Sequence, residues 1–169
     1  QEVSPWGQIS TQGIIESVTA IPEPTATGAT EDYLYWIVKR TINGSTVRYV
    51  ERMRSRFFQA AEDAFFVDSG ITQTFGTPVT TVSGLTWLEG ETVSVLADGA
   101  VVPDQIVTAG AITLPTAASK VTVGLPYTST LKLPPLAQNT DPAMLQGRFK
   151  GIDRAFVRVI DSGGVSVGP

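Results

Sequence analysis

The chain is predicted to be all-β: an antiparallel β barrel or small sandwich inserted between strands of a flanking, blade-like sheet. Three observations predict this. β-Branched residues and glycine are abundant, while long runs of Ala, Leu, Glu and Lys are absent. Short segments such as Thr92-Val93-Ser94-Val95 alternate polar and apolar with period two, as half-buried strands do. The dipeptides Asn43-Gly44 and Asp98-Gly99 supply the left-handed backbone that tight hairpin turns need. A hydrophobic content of 42% in 169 residues is enough for a folded core and argues against disorder.

The elements follow in chain order. Trp6 to Ile9 is a first candidate strand and Gly13 to Ile21 a second, with Pro22 to Gly28 as a polar, proline-rich loop. Tyr33 to Arg40 is a third strand, whose continuous apolar character predicts burial on both faces. Asn43-Gly44 turns the chain into a returning strand, Thr46 to Met53. Phe57 to Phe65 has helix-like apolar spacing but is short, which predicts a single helical turn or an irregular connector. Phe66 to Gly70 should be a strand entering the central module.

Within that module, Thr92 to Val95 runs into the Asp98-Gly99 turn, and Val101, Val102 and Ile106-Val107 return. Gly110 to Leu114 and Lys120 to Gly124 are further short strands. Prolines 22, 24, 103, 115, 126, 134 and 135 fall where strands are expected to end. A long loop, Pro134 to Pro142, leads out, and Asp153 to Ile160 is a last strand closed by Asp161-Ser162-Gly163-Gly164. The organisation is then a flanking meander over 1–66, a central module over 67–133, and a linker with a return strand over 134–169. No period of about 20–50 residues repeats.

The charge distribution divides at similar places. Residues 1–56 hold six acidic and six basic side chains, and 57–147 hold eight acidic against Lys120 and Lys132. Residues 148–169 hold Arg148, Lys150, Arg154 and Arg158 against Asp153 and Asp161. An acidic centre therefore lies between flanks that carry all of the arginine, as is common at boundaries between structural units.

Several motifs also carry a resemblance. Leu88-Glu89-Gly90-Glu91-Thr92-Val93, Ala97-Asp98-Gly99, Gly110-Ala111-Ile112-Thr113-Leu114 and Val123-Gly124-Leu125-Pro126-Tyr127 resemble a β module of bacteriophage virion proteins. The flanks Tyr33 to Arg40, Arg48 to Met53 and Phe65 to Gly70 extend the likeness over most of the chain. Those proteins are similar to the tail nozzle (tail tubular) and stabilisation proteins of short-tailed phages. Their module is likened to the small β half-domain of ubiquitin-activating enzymes. The resemblance implies a virion location, a propeller with β insertions, other tail proteins as partners, and a cyclic homo-oligomer, a hexamer, around the channel used in DNA ejection.

Composition narrows the chemistry. Without cysteine there is no disulfide, thiolate nucleophile or zinc–thiolate site. Without histidine the commonest general base and metal ligand are missing. No apolar run approaches the roughly 18 residues of a membrane span, and the opening on Gln1 reads as a piece of a longer protein. Glu89, Glu91, Asp98 and Asp104 invite a carboxylate-pair or calcium reading, but turn chemistry accounts for them better. Ser69, Ser83, Ser94 and Ser119 have no histidine to activate them, and Ser119 and Lys120, as strand neighbours, point to opposite faces. No phosphate-binding loop is present. No catalytic residue, cofactor or metal ligand is expected.

The remaining feature is basic. Lys39, Arg40, Arg48, Arg52, Arg54 and Arg56 form the densest cationic group, and on a strand Arg48, Arg52 and Arg54 share one face with Val50. Overall acidity argues against salt-sensitive DNA recognition. Arginine is favoured at protein contacts, where its fork matches carboxylates. Arg48, Arg52 and Arg54 are therefore the expected assembly interface, and Trp6, Trp36 and Trp87 are expected in the core or at seams. The expected function is structural, as a tail nozzle or tail tubular fragment acting by subunit assembly. The alternatives are a carbohydrate- or receptor-binding virion module, and an accessory domain of an enzyme.

Overall fold

The computed structural model describes residues 11–25, 28–54 and 58–128, together with Phe156 and Arg158. The chain is all-β, as predicted, and is built from two antiparallel sheets. The first, in order β1-β2-β3, comprises β1 (Ile14–Pro24), β2 (Thr30–Ile42) and β3 (Ser45–Arg52). The second, in order β4-β7-β5-β6, comprises β4 (Asp68–Ser83), β5 (Thr92–Ala97), β6 (Ala100–Ile106) and β7 (Ala111–Leu125). The chain divides into two compact units at Tyr127/Thr128, and both sheets belong to the first. The candidate strands Trp6–Ile9 and Asp153–Ile160, and the loop Pro134–Pro142, lie outside the described residues apart from Phe156 and Arg158.

Local turn chemistry sets the two hairpins. Asn43 and Gly44 both have positive φ (46° and 74°), which closes a two-residue turn and places Ile42 opposite Ser45. From there β2 and β3 pair without a register shift up to Tyr35↔Arg52. Asp98 and Gly99 do the same between β5 and β6, with φ of 46° and 80° and Ala97 opposite Ala100. Asp98 also reaches sideways, since its carboxylate accepts the backbone N–H groups of Ser119 and Lys120 on β7.

The core lies chiefly against the second sheet. Val93, Val95 and Ala97 alternate inward along β5, and Val82, Leu85, Leu88 and Val107 are fully enclosed. Each of these valine and leucine side chains contributes about 1.5–3 kcal/mol by leaving water. Ile42 belongs to the same core, with Val47 and Tyr49 packed against it, so the β2–β3 hairpin shares its apolar interior with the second sheet.

Four local expectations are corrected. Gly110–Leu114 and Lys120–Gly124 are not separate strands but the two ends of β7. The prolines do not all terminate strands: Pro22 and Pro24 lie in β1, Pro103 in β6 and Pro115 in β7. β1 and β6 are the outermost strands of their sheets, where a missing N–H costs no ladder bond, and Pro115 lies in an interrupted stretch of the β4–β7 register. Accordingly the loop after β1 shrinks to Thr25–Ala29, closed by Thr25 N–H to the Ala29 carbonyl at 2.7 Å. Finally, β2 is not buried on both faces: only Val38, Arg40 and Ile42 are enclosed, because among the described residues no second layer covers its other face.

The connector between the sheets holds a 3-10 turn at Ala61–Asp63, and another lies at Thr86–Leu88. Just beyond the first, β4 and β7 approach closely. A Cβ added to Gly124 would come within 2.7 Å of the Gly70 Cα and 2.8 Å of the Asp68 carbonyl oxygen. Gly76, farther along β4, has open space instead. Gly124→Ala is expected to destabilise the fold by about 1–3 kcal/mol through forced backbone shifts. Gly76→Ala is expected to be neutral or stabilising by under about 1 kcal/mol. Urea unfolding midpoints of the two variants check the contrast.

Candidate assembly surface

The three arginines singled out from sequence sit at the β3 side of the first sheet, and each has a partner within the chain. The register places Arg48 opposite Lys39, Val50 opposite Ile37 and Arg52 opposite Tyr35, all on one face. A bulge between Ile15 and Ser17 brings Glu16 to this face. There its carboxylate accepts from Arg48 Nε at 2.7 Å and Nη2 at 3.2 Å. Arg52 Nη1 pairs with Glu23 at 2.9 Å, and its guanidinium lies 4.0 Å from the centroid of the Tyr33 ring. Arg54 stands over Phe65 at 5.2 Å. Tyr35, which donates to Glu23, completes the row.

Between these paired charges the same face leaves apolar side chains in water. Ile14 is 62% exposed and Val50 73%, with Ile21 and Ile37 also open. On the opposite face Val18 is 59% exposed and Leu34 is open, beyond the part covered by the second sheet. Trp36 lies next to them with an indole N–H that is buried and has no acceptor among the described residues. Exposed apolar side chains this numerous, rimmed by paired charges, are characteristic of contact surfaces.

Sequence reasoning placed Arg40 in the basic group but missed its role. Its side chain is 1% exposed. Nε and Nη2 bond the two Glu51 oxygens at 2.6 and 2.8 Å, and Nη1 donates to the Gln12 carbonyl at 2.7 Å. Asp68 lies 3.9 Å from Nη2 and also accepts from the Thr11 hydroxyl. Ser69 donates to Glu51 at 2.7 Å. The only local signal was alternation: Val38, Arg40 and Ile42 share the inward face of β2, with an arginine between two aliphatics.

The carboxylates of the central module are occupied structurally. Glu89 accepts the N–H groups of Ala109 and Gly110 at 2.8 and 2.6 Å, holding a turn in which both residues have positive φ. Glu91 accepts the Asn43 N–H at 2.8 Å, and Asp104 accepts from Ser94 at 2.9 Å. Among the described residues no group of acidic side chains converges as a metal site would require, and no helix is long and apolar enough to cross a membrane. The Lys120 ammonium is held by Asp63 and lies 3.7 Å from Glu62. Trp87 is a seam residue: its Nε1 donates to the Ser69 carbonyl at 3.0 Å, and its own carbonyl accepts from Tyr49 at 2.5 Å.

These contacts shift several titrations. The Arg48 hydrogen bond holds Glu16 below the usual carboxylate range, against a smaller opposing effect of burial. The hydrogen bond from Lys120 to Asp63 raises the lysine, burial raises Tyr49, and the bond to Glu23 raises Tyr35. Because the folded-state Glu16 value is depressed, its pair stabilises above the ordinary carboxylate range and is lost as pH falls through the lowered value. Carboxyl-resolved NMR titration is expected to put the Glu16 midpoint below the model-peptide value, and Arg48→Gln to move it back upward.

A second expectation concerns the enclosed guanidinium. Arg40→Met leaves Glu51 and Asp68 without their counter-charge, and the cost should be about 3 kcal/mol. That is the low end for a broken buried pair, since both carboxylates keep some contact with water. Arg40→Met/Glu51→Gln should recover part of the loss in urea unfolding.

No family model matches this sequence, and no curated protein matches it.

Proposed function

We propose that the chain is a structural component of a bacteriophage tail, a piece of a nozzle or tail tubular protein that acts by assembling around the DNA channel. The observation that carries this reading is the first sheet, which keeps Ile14, Val18, Ile37 and Val50 exposed beside charges that are already neutralised. A surface of that kind gains by meeting a neighbouring subunit, since burial removes apolar area from water without stranding a charge. The resemblance of Leu88–Val93, Gly110–Leu114 and Val123–Tyr127 to virion β modules points the same way. Partners are then copies of the same protein and other tail proteins, closing into a ring by heterologous contacts. The hexameric number rests on that resemblance alone.

DNA recognition is the weaker reading of the same arginines. Arg48 and Arg52 are engaged by Glu16 and Glu23, so at these two arginines a phosphate would have to displace a carboxylate. The acidic central module would let DNA pass along a channel wall without adhering.

Arg48→Glu or Arg52→Glu sets a second carboxylate beside Glu16 or Glu23. Either variant is expected to impair ring assembly of the full-length protein, read by native mass spectrometry, while leaving the chain folded. Electrophoretic mobility with duplex DNA is measured alongside. Submicromolar DNA binding by the wild type, abolished in variants whose ring stays intact, would reverse the assignment.

A further inference from the structure

Strands at the margins of a sheet present unpaired backbone groups, and natural sheets blunt them with proline, bulges or charge. Three of the margins here are blunted in this way. β1 carries Pro22, Pro24 and the bulge at Glu16, and β6 carries Pro103 opposite an irregular stretch of β5. β4 contains Pro78 and repeated register shifts against β7. β3 has no proline, no bulge and a regular ladder along its whole length. Among the described residues no strand lies on its outer side.

The register shows which groups face outward. The two-residue turn makes Ile42 and Ser45 a hydrogen-bonded pair, so the bonded positions of β3 continue at Val47, Tyr49 and Glu51. The bond from Met53 N–H to the Leu34 carbonyl at 2.9 Å continues the same alternation. The N–H and C=O groups of Thr46, Arg48, Val50 and Arg52 therefore point away from β2, at an edge where Val50 is 73% exposed.

Charge is the one defence that β3 retains, and the sheet cancels it. Arg48 is paired with Glu16, Arg52 with Glu23 and Glu51 with Arg40. Each of these β3 charges is therefore balanced by a partner within the chain.

We propose that the outer edge of β3 is a self-pairing surface, on which β3 of a second copy of this chain adds antiparallel about a twofold axis. One register fits. Placing Arg48 opposite the copy's Val50, and Thr46 opposite its Arg52, joins every outward backbone group in hydrogen-bonded pairs. Moving the pairing by one bonded step sets Arg48 against Arg48, or against Arg52, and like charges directly opposite are destabilising. The favoured register instead lays Val50 beside the aliphatic stem of the copy's Arg48 and joins the Ile37–Val50 strips of the two copies on one face. Tyr49 meets its own copy across the axis on the other face. The pairing does not depend on the tail reading, because it uses the edge of the sheet and an isologous contact, whereas a ring uses heterologous ones.

Sedimentation velocity of the chain over a concentration series tests the proposal. The wild type is expected to show a concentration-dependent dimer. Val50→Pro removes an outward N–H without touching the β2–β3 ladder, and Val50→Lys places a like charge opposite Arg48; both are expected to be monomeric with an unchanged far-UV circular dichroism spectrum. Should Val50→Pro fail to fold, Val50→Lys decides alone. A wild type that stays monomeric throughout, or a dimer that persists in the folded variants, would overturn the proposal. Register is read by disulfide formation, since the chain has no native cysteine. An oxidised mixture of Arg48→Cys and Val50→Cys should give mixed cross-linked dimers in preference to dimers of either variant alone. Equal or greater yield of the like dimers would overturn the register and the proposal with it.

Discussion

The Arg40 guanidinium ties β2 to its ladder partner β3 and also to two segments with which β2 shares no backbone ladder. From the inward face of β2 it reaches Glu51 on β3, the Gln12 carbonyl ahead of β1, and the Asp68 carboxylate at the start of β4. The second sheet begins where the first sheet's charges end. A neutral side chain of the same length would pack there but could not satisfy the carboxylates, and two half-buried carboxylates left without their counter-ion cost about 3 kcal/mol. Around this point the remaining cross-links are polar and directional: Tyr49 to the Trp87 carbonyl, Trp87 to the Ser69 carbonyl, and Asn43 to Glu91. Apolar packing of Ile42, Val47 and Tyr49 supplies adhesion, and the hydrogen bonds select one arrangement of the sheets.

A common device recurs in the acidic centre. Asp98, Glu89 and Glu91 each accept backbone N–H groups that their local turns or neighbouring strands leave without a carbonyl partner. Such charge-assisted bonds are stronger than neutral ones. They consume the carboxylates that sequence inspection would offer to catalysis or calcium. Acidity here serves loop geometry.

The first sheet contrasts with the second. Where the second encloses Val93, Val95 and Ala97, the first leaves aliphatic residues on both faces beside arginines already held by Glu16 and Glu23. Arg48 and Arg52 were legible as sharing a face from their spacing, because period-two alternation fixes which residues of a strand share a face; Arg54, grouped with them from sequence, lies beyond the end of β3. Their partners were not legible. Glu16 reaches Arg48 only because a bulge shifts the register of β1, and Glu23 reaches Arg52 because β1 continues through Pro22 and Pro24. Both facts depend on β1 being an edge strand, which no local pattern announces.

Reading the residues alone was enough to establish the all-β class, the hairpins at Asn43-Gly44 and Asp98-Gly99, and the alternation of Thr92–Val95. These rest on φ preferences and side-chain direction, which act over a few residues. Burial was beyond its reach. Tyr33–Arg40 looked like a strand covered on both faces, yet coverage depends on which other elements lie against it, and among the described residues one face has none. Arg40 looked like one more surface cation, and β7 looked like two strands divided by Pro115. Each of these was decided by partners distant in sequence: Glu51 and Asp68 for the guanidinium, and the irregular β4 ladder for the proline. Charge pairing and strand order are properties of assembled sheets, so only the tertiary structure could supply them.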